Sequence, residues 1–226
     1  MKISLSIIIP TLDEAHAIAA MLRALAPLRG RGAEVIVVDG GSTDRTAGLA
    51  APFADLVLTA PRGRARQMNA GAAAARGEVL LFLHADTRLP HAADRLIATA
   101  LAPPDASWGR FDVTISGRSR WLPLVAALMN LRSRLTGIAT GDQALFVRRA
   151  LFERIGGFPD QPLMEDIELA RRLRRVARPV CLTQRVTTSG RRWDARGAVP
   201  TILLMWWLRA QYFFGVSPAR LAMRYR

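Results

Sequence analysis

Four short, largely apolar runs, each followed by a polar cluster and then by helical spacing, constrain this chain more than any other feature. The runs are residues 5–9, 34–38, 55–58 and 79–83. Apolar residues recur at helical spacing over 14–28, with Ile18, Met21, Leu22 and Leu25 on one stripe. Residues 43–51, 64–75 and 90–101 also read as helices. Strictly alternating strands and helices predict an α/β fold with a mostly parallel sheet flanked by helices on both faces. Such sheets bind ligands beyond the carboxyl ends of their strands. Polar residues gather there: Thr11 to Glu14, Asp39 to Asp44, and His84 to Thr87. Three strand ends therefore converge on one crevice.

The second half is less regular. Residues 108–116 alternate like a strand, 144–147 resemble a short strand, and 165–176 read as a helix. The apolar segments 121–131 and 199–216 carry Trp121, Trp206, Trp207, Tyr212, Phe213 and Phe214, with arginines nearby. Neither reaches the roughly 18–20 uncharged apolar residues that span a bilayer. Trp and Tyr beside Arg suit either a membrane interface or a core helix with a docking helix. The expected division is one catalytic-type domain over 1–198 and a C-terminal amphipathic segment over 199–226.

The 226-residue chain carries a formal net charge of +14, and Lys2 is its only lysine. Guanidiniums bind phosphate bidentately and stay charged. Nucleic acid, an anionic membrane face or phosphorylated small molecules can all answer such a charge, as can an arginine-rich genomic composition. The single cysteine, Cys181, excludes an intramolecular disulfide and reads as a small buried hydrophobe. The first apolar run lacks a cleavage site and reads as a strand, so a cytoplasmic location is expected.

Several chemistries are absent. The first strand is not followed by GxGxxG, and no GxxxxGK[ST], HExxH or paired CxxC occurs. Asp39, at a strand end, can accept from a nucleoside or cap its own Asp-Gly-Gly-Ser turn. His84 and Asp86 lie two residues apart and share one face of an extended strand. There they can hold a divalent ion against a diphosphate, or simply close the strand. Glu165 and Asp166 open a helix, where its dipole favours acids, and where a carboxylate can also serve as general base. Arg191, Arg192 and Trp193 can clamp a diphosphate, stack on a sugar, or form a solvated basic loop. His16 and His91 read as structural.

Taken together, the segments resemble glycosyltransferase family 2, inverting enzymes of the GT-A fold, over nearly the whole chain. Ser6 to Glu14 is similar to that family's opening strand and donor turn. Val37-Val38-Asp39-Gly40-Gly41-Ser42-Thr43-Asp44 is similar to its VVDDGSTD segment, with Gly40 in place of an Asp. Asn69-Ala70-Gly71, His84-Ala85-Asp86, Gly156-Gly157-Phe158 and Glu165 to Leu169 resemble the further motifs in the right order. The resemblance implies that Pro10, Thr11 and Glu14 line the donor site, with Asp39 on the base, commonly uracil. It places Arg66 and Asn69 on the nucleotide, Mg²⁺ or Mn²⁺ at Asp86 with His84 beside it, and Asp166 as general base. His84 replaces the motif's first Asp, which leaves the choice of metal open.

Gly141-Asp142-Gln143, Phe158-Pro159, Met164-Glu165-Asp166 and Ser189-Gly190-Arg191-Arg192-Trp193 carry a narrower similarity, to bacterial radical-SAM/selenodomain-associated transferases linked to arsenosugar biosynthesis. It implies acceptor or diphosphate contacts at Gln143, Glu165, Arg192 and Trp193. The expected partners are a nucleotide-diphosphate sugar and a hydroxyl acceptor, of lipid or arsenosugar-precursor type. Peripheral contact with the inner membrane face is also expected, and no nucleic acid. Processive synthases with a similar Arg-Trp element carry a transmembrane bundle, so single-sugar transfer is expected here. A sugar-phosphate nucleotidyltransferase would need GGxGxR after the first strand, where this chain has Pro10-Thr11-Leu12-Asp13. A non-catalytic basic module would explain the charge but not the carboxylates at the strand ends.

Overall fold

The computed structural model describes residues 3–225, except for the side chains of Arg192, Arg196, Ala198 and Val199. The strands are β1 Leu5–Thr11, β2 Glu34–Asp39, β3 Leu56–Thr59, β4 Val79–Phe82, β5 Thr87–Arg88, β6 Trp108–Ser116, β7 Phe146–Arg148 and β8 Val180–Ser189. The helices are α1 Ile18–Ala24, α2 Ala26–Gly30, α3 Thr46–Ala50, α4 Arg64–Ala74, α5 Ala93–Ala100, α6 Leu122–Thr136, α7 Arg149–Arg154, α8 Glu165–Arg174, α9 Arg191–Arg196, α10 Ala198–Phe213 and α11 Pro218–Tyr225. A single 3-10 turn, Gly141–Gln143, precedes β7.

One eight-stranded sheet runs β3-β2-β1-β4-β7-β6-β8-β5. The first four are parallel, whereas β7 pairs antiparallel with both β4 and β6, and β5 antiparallel with β8. Successive strand residues point to opposite faces, and this splits the core. Ile7, Ile9, Val35, Val37, Val79 and Leu81 pack with α1, α5 and α6 on one side. Ile8, Ile36, Val38, Leu80 and Phe82 pack with α4, α7 and α8 on the other. Runs apolar at every position are what a sheet buried on both faces requires.

The chain leaves β1 for β2 and β3 on one side, then returns to β4 on the other. Beyond the carboxyl ends of β1 and β4 lies the crevice. The C-terminal segment closes over it: Leu208 of α10 and Leu221 of α11 form a small cluster with Met164, Leu163 and Ile167 at the head of α8.

Local chemistry moves several expected boundaries. The helix expected over 14–28 is two helices, broken at Leu25, with Pro27 in the first turn of the second. That expected over 43–51 shortens to α3, because Asp44 is bonded to the Thr46 amide and hydroxyl. Cys181 is only half-buried in β8. Among the described residues no helix is long and apolar enough to cross a membrane.

Helix α4 approaches the sheet through Gly71, where an added Cβ would stand 2.5 Å from Cγ2 of Ile8 and 3.0 Å from Cγ2 of Val38. Gly71→Ala is expected to destabilise the fold by about 1–3 kcal/mol through overpacking, although alanine favours helices. Urea denaturation checks this, and an unchanged or higher midpoint would contradict it.

Candidate functional site

The loops after β1 and β2 are laced together. Asp13, in the left-handed region at φ 54°, accepts from the Thr43 amide at 2.8 Å, and its own amide donates to Oγ of Ser42 at 2.9 Å. The Glu14 amide donates to Oγ1 of Thr46 at 2.8 Å, and the Ala15 amide to Asp44 at 3.1 Å. Asp39 accepts from the Gly41 and Ser42 amides and from the Ser42 hydroxyl. Beneath this lacing the Gln67 amide donates to the carbonyls of Thr11 and Val38, both at 2.8 Å, tying the ends of β1 and β2 together. A Cβ at position 40 would stand 3.0 Å from the Gln67 carboxamide, a tight contact with the group that ties β1 to β2.

Met164, in the left-handed region at φ 65°, turns the chain sharply into α8. Strained backbone of this kind collects at functional sites. The turn aims Glu165 and Asp166 into the crevice. Asp166 accepts from the Gly141 amide through Oδ2 and from the Ile167 amide through Oδ1, both at 2.8 Å. Glu165 is buried and lies 3.5 Å from Arg64 at the start of α4. Desolvation, then the neighbouring Asp166 charge, raise its pKa above the usual carboxylate value, with Arg64 opposing.

The resulting crevice has a volume of about 710 Å³. Of the residues expected from sequence, it gathers Pro10, Thr11, Glu14, His84, Asp86, Glu165, Asp166 and Trp193 on its walls. Four others stand outside the lining, for identifiable reasons. Asp39 is engaged by its own turn, and Arg66 forms an exposed pair with Asp160, 2.8 Å apart. Asn69 brackets the Phe158 backbone, donating at 2.8 Å and accepting at 2.9 Å, and so ties α4 to the Gly156-Gly157-Phe158 turn. Gln143 is fully buried beneath the floor and accepts from the Thr140 amide. The side chain of Arg192 lies outside the described residues.

His84 faces Asp142, with Nδ1 3.4 Å from Oδ1, and its ring lies against Gly141. The opposite wall supplies Arg191. Its Nη2 lies 3.4 Å from Glu14 and 3.8 Å from Asp86, and its Nη1 contacts His16. Arg191 therefore bridges the ends of β1 and β4, and His16, expected to be structural, stands at the crevice mouth. Arg62, Arg64 and Arg209 complete a cationic rim. Sequence reasoning missed Asp142, Arg64 and Arg209. Arg209 carried a signal, as a charge interrupting an apolar, aromatic helix, and Asp142 stood inside the Gly141-Asp142-Gln143 motif without a role of its own.

Among the described residues no group of three or more His, Cys, Asp and Glu side chains could hold a metal by itself. Asp86 fits a different mode, in which one or two carboxylates hold Mg²⁺ or Mn²⁺ and substrate phosphates supply further ligands.

A sheet crevice walled by carboxylates and guanidiniums, with its opening at the topological switch point, defines a GT-A-like α/β protein. The chain belongs to Glycosyl transferase family 2, whose sequence model matches residues 6–156. It is 36% identical over 166 residues to a PGL/p-HBAD biosynthesis glycosyltransferase of Mycobacterium bovis, covering 68% of this chain and 62% of that protein. The chain thus spans about three fifths of that relative's length. In fold it is similar to the mannosyltransferase PcManGT from Pyrobaculum calidifontis, solved with GDP-Man and Mn²⁺. The TM-score is 0.60 at 24% identity, over 83% of this chain and 57% of that one. S. aureus TarS 1-349 in complex with UDP gives a TM-score of 0.66 at 21% identity, over 82% and 60%.

A raised Glu165 pKa means that the folded state binds a proton more tightly than the unfolded state. The stability it contributes is present at acid pH and is lost as pH rises through the folded value. Glu165→Gln removes that loss. The stability of the variant relative to the parent is expected to increase as pH rises from the ordinary glutamate range towards neutrality. Denaturant titrations across pH check this, and a difference that is flat or falls with pH would contradict it.

Proposed function

We propose that this protein transfers one sugar from a nucleotide-diphosphate donor, first among them a UDP-sugar, to an acceptor hydroxyl, with inversion at the anomeric carbon. The placement of Asp166 carries this reading. Two backbone amides orient its carboxylate at the head of α8, in the same crevice as Glu14 and Asp86 from the strand ends. Pro10, Thr11 and Glu14 flank the nucleotide, and the turn that Asp39 caps shapes its pocket. Arg62, Arg64 and Arg191 face the diphosphate, with Trp193 on the sugar or acceptor side. Arg191 leaves Glu14 and Asp86 when phosphate oxygens and a cation arrive. Asp86 is the protein ligand for Mg²⁺ or Mn²⁺, and His84, braced by Asp142, stands next to it. A bound divalent ion neutralises charge developing on the leaving diphosphate.

In the transfer step the acceptor oxygen bonds to the anomeric carbon as the carbon–oxygen bond to the diphosphate breaks. The electron pair leaves with the nucleotide diphosphate, and Asp166 takes the hydroxyl proton.

The acceptor is of lipid or arsenosugar-precursor type. The similarity to selenodomain-associated transferases, carried by Gly141-Asp142-Gln143 and Arg191-Arg192-Trp193, supports the second. Peripheral contact with the inner membrane face belongs to the same reading. Leu124, Leu128, Leu131 and Leu135 form an exposed stripe on α6, and Leu203, Trp206, Trp207 and Phe213 another on α10.

Nucleotide binding is tested by thermal stability with UDP, GDP or CDP, each with Mn²⁺ or with EDTA. One nucleotide is expected to stabilise the fold by about 2.7 kcal/mol at a hundred times its Kd, and to do so only with the ion. The Asp86→Ala variant should lose the ion requirement together with most of the shift. Equal shifts in both proteins would move the metal elsewhere.

Asp166→Asn is expected to lower kcat by about 10²–10⁴-fold while leaving donor affinity nearly unchanged. Turnover close to that of the parent would assign the proton to another group.

A further inference from the structure

Two arginines near Asp166 lie within range of each other's charge, and among the described residues neither forms an ion pair. Arg132 comes from α6 and Arg209 from α10. Arg209 lines the crevice, and among the described residues it makes no hydrogen bond or ion pair. Nε of Arg132 is buried without a partner, the one such side-chain atom among the described residues, and Nη2 reaches only the Ile138 carbonyl, at 3.5 Å. Arg132 is pushed down to about 10, by desolvation first and then by the charge of Arg209. Arg209 is lowered by desolvation, opposed by Asp166 and Asp142. Arginine keeps its proton in proteins, so the cost remains as uncompensated charge withdrawn from water.

The sequence offers these cations little relief. Residues 113–141 and 195–226 together hold nine arginines and no aspartate or glutamate. Neither α6 nor α10 can therefore neutralise the pair from within. The donor-side carboxylates, Glu14 and Asp86, are met by Arg191, whereas the acids that offset Arg209 are Asp166 and Asp142. The pair thus lies on the side of the proposed base from which an acceptor must approach. Arg209 faces the open crevice and the buried Arg132 guanidinium lies behind it within range of its charge, so an oxyanion held at Arg209 would answer both cations.

We propose that Arg209 and Arg132 form an oxyanion subsite for the acceptor, which is a hydroxyl compound that also bears a phosphate or carboxylate group. This rests on the transferase reading above. The anion compensates the buried charge and fixes the acceptor hydroxyl against Asp166. It comes either from a lipid headgroup, delivered along the exposed faces of α6 and α10, or from a soluble phosphorylated compound.

The test is thermal stability in inorganic phosphate against chloride of equal ionic strength, with the donor site saturated by the stabilising nucleotide diphosphate and Mg²⁺. Phosphate is expected to stabilise the parent protein further. Arg209→Gln should melt higher than the parent without phosphate, since it relieves like-charge repulsion, and should bind phosphate at least about tenfold more weakly, as expected for a lost charge-assisted contact. Arg132→Gln should behave similarly. Flotation with phosphatidate-containing vesicles separates the sources. Capture that weakens in Arg209→Gln identifies a headgroup, and phosphate binding without such capture identifies a soluble acceptor. No phosphate effect in the nucleotide-bound parent, or a phosphate effect in both variants as large as the parent's, would overturn the subsite and leave the donor reading intact. Failure of every nucleotide to bind would instead remove the transferase reading, and this proposal with it.

Discussion

Strand β1 runs between β2 and β4 and parallel to both, and the polar architecture follows from that arrangement. A strand covered on both faces and both edges can place polar side chains only at its ends. At the carboxyl end the chain departs one way for β2 and later returns the other way for β4, leaving the gap where Thr11, Glu14, His84 and Asp86 meet. The Gln67 amide fixes one wall of that gap by donating to the Thr11 and Val38 carbonyls, which ties the ends of β1 and β2 together. The acids of the β1 and β2 loops do similar work. Asp13, Asp39 and Asp44 spend their oxygens on backbone amides and hydroxyls.

The positive charge is divided between framework and site. Arg29, Arg31, Arg66 and Arg76 pair with Asp55, Asp94, Asp160 and Glu34 on the outside. Arg110 is fully buried against Asp112, which Arg134 also reaches. These latches are individually modest where exposed to solvent. The crevice arginines differ. Arg64 faces Glu165 at 3.5 Å, Arg191 faces Glu14 and Asp86 at 3.4 and 3.8 Å, and among the described residues Arg209 forms no ion pair. Such loosely answered cations leave room for anionic ligands.

The parallel half of the fold was legible because strands buried on both faces read as continuous apolar runs. The crevice followed from what stands at their ends. The antiparallel half was not. Strand β8 contains Thr183, Gln184, Arg185, Thr187 and Thr188 and is recruited by pairing along β6, a tertiary effect that periodicity does not carry. The segment from Arg191, for which a basic loop was one of three readings, is helix α9, and its first residue reaches Glu14. Asp166 and Asp86 could be placed beside the crevice from sequence because each follows a local signal, a helix start or a strand end. Arg64 opens α4 and Asp142 lies in a motif, but neither was assigned to the site, because their places in it are set only when α4 and the Gly141 turn close on α8. Asp39 shows the converse: a motif acid whose observed bonds are those of a turn cap.

The central claim is that the strand ends and the head of α8 enclose one nucleotide-sugar site. A crystal grown with UDP or GDP and Mn²⁺, measured at the manganese absorption edge, tests it most directly. The account predicts one anomalous peak within about 2.0–2.6 Å of an Asp86 carboxylate oxygen and of diphosphate oxygens, the usual range for hard cations and oxygen ligands, with Arg191 withdrawn from Glu14. Nucleotide bound away from this crevice, for instance in the smaller cavity beside His91 and Arg31, or manganese without contact to Asp86, would contradict it.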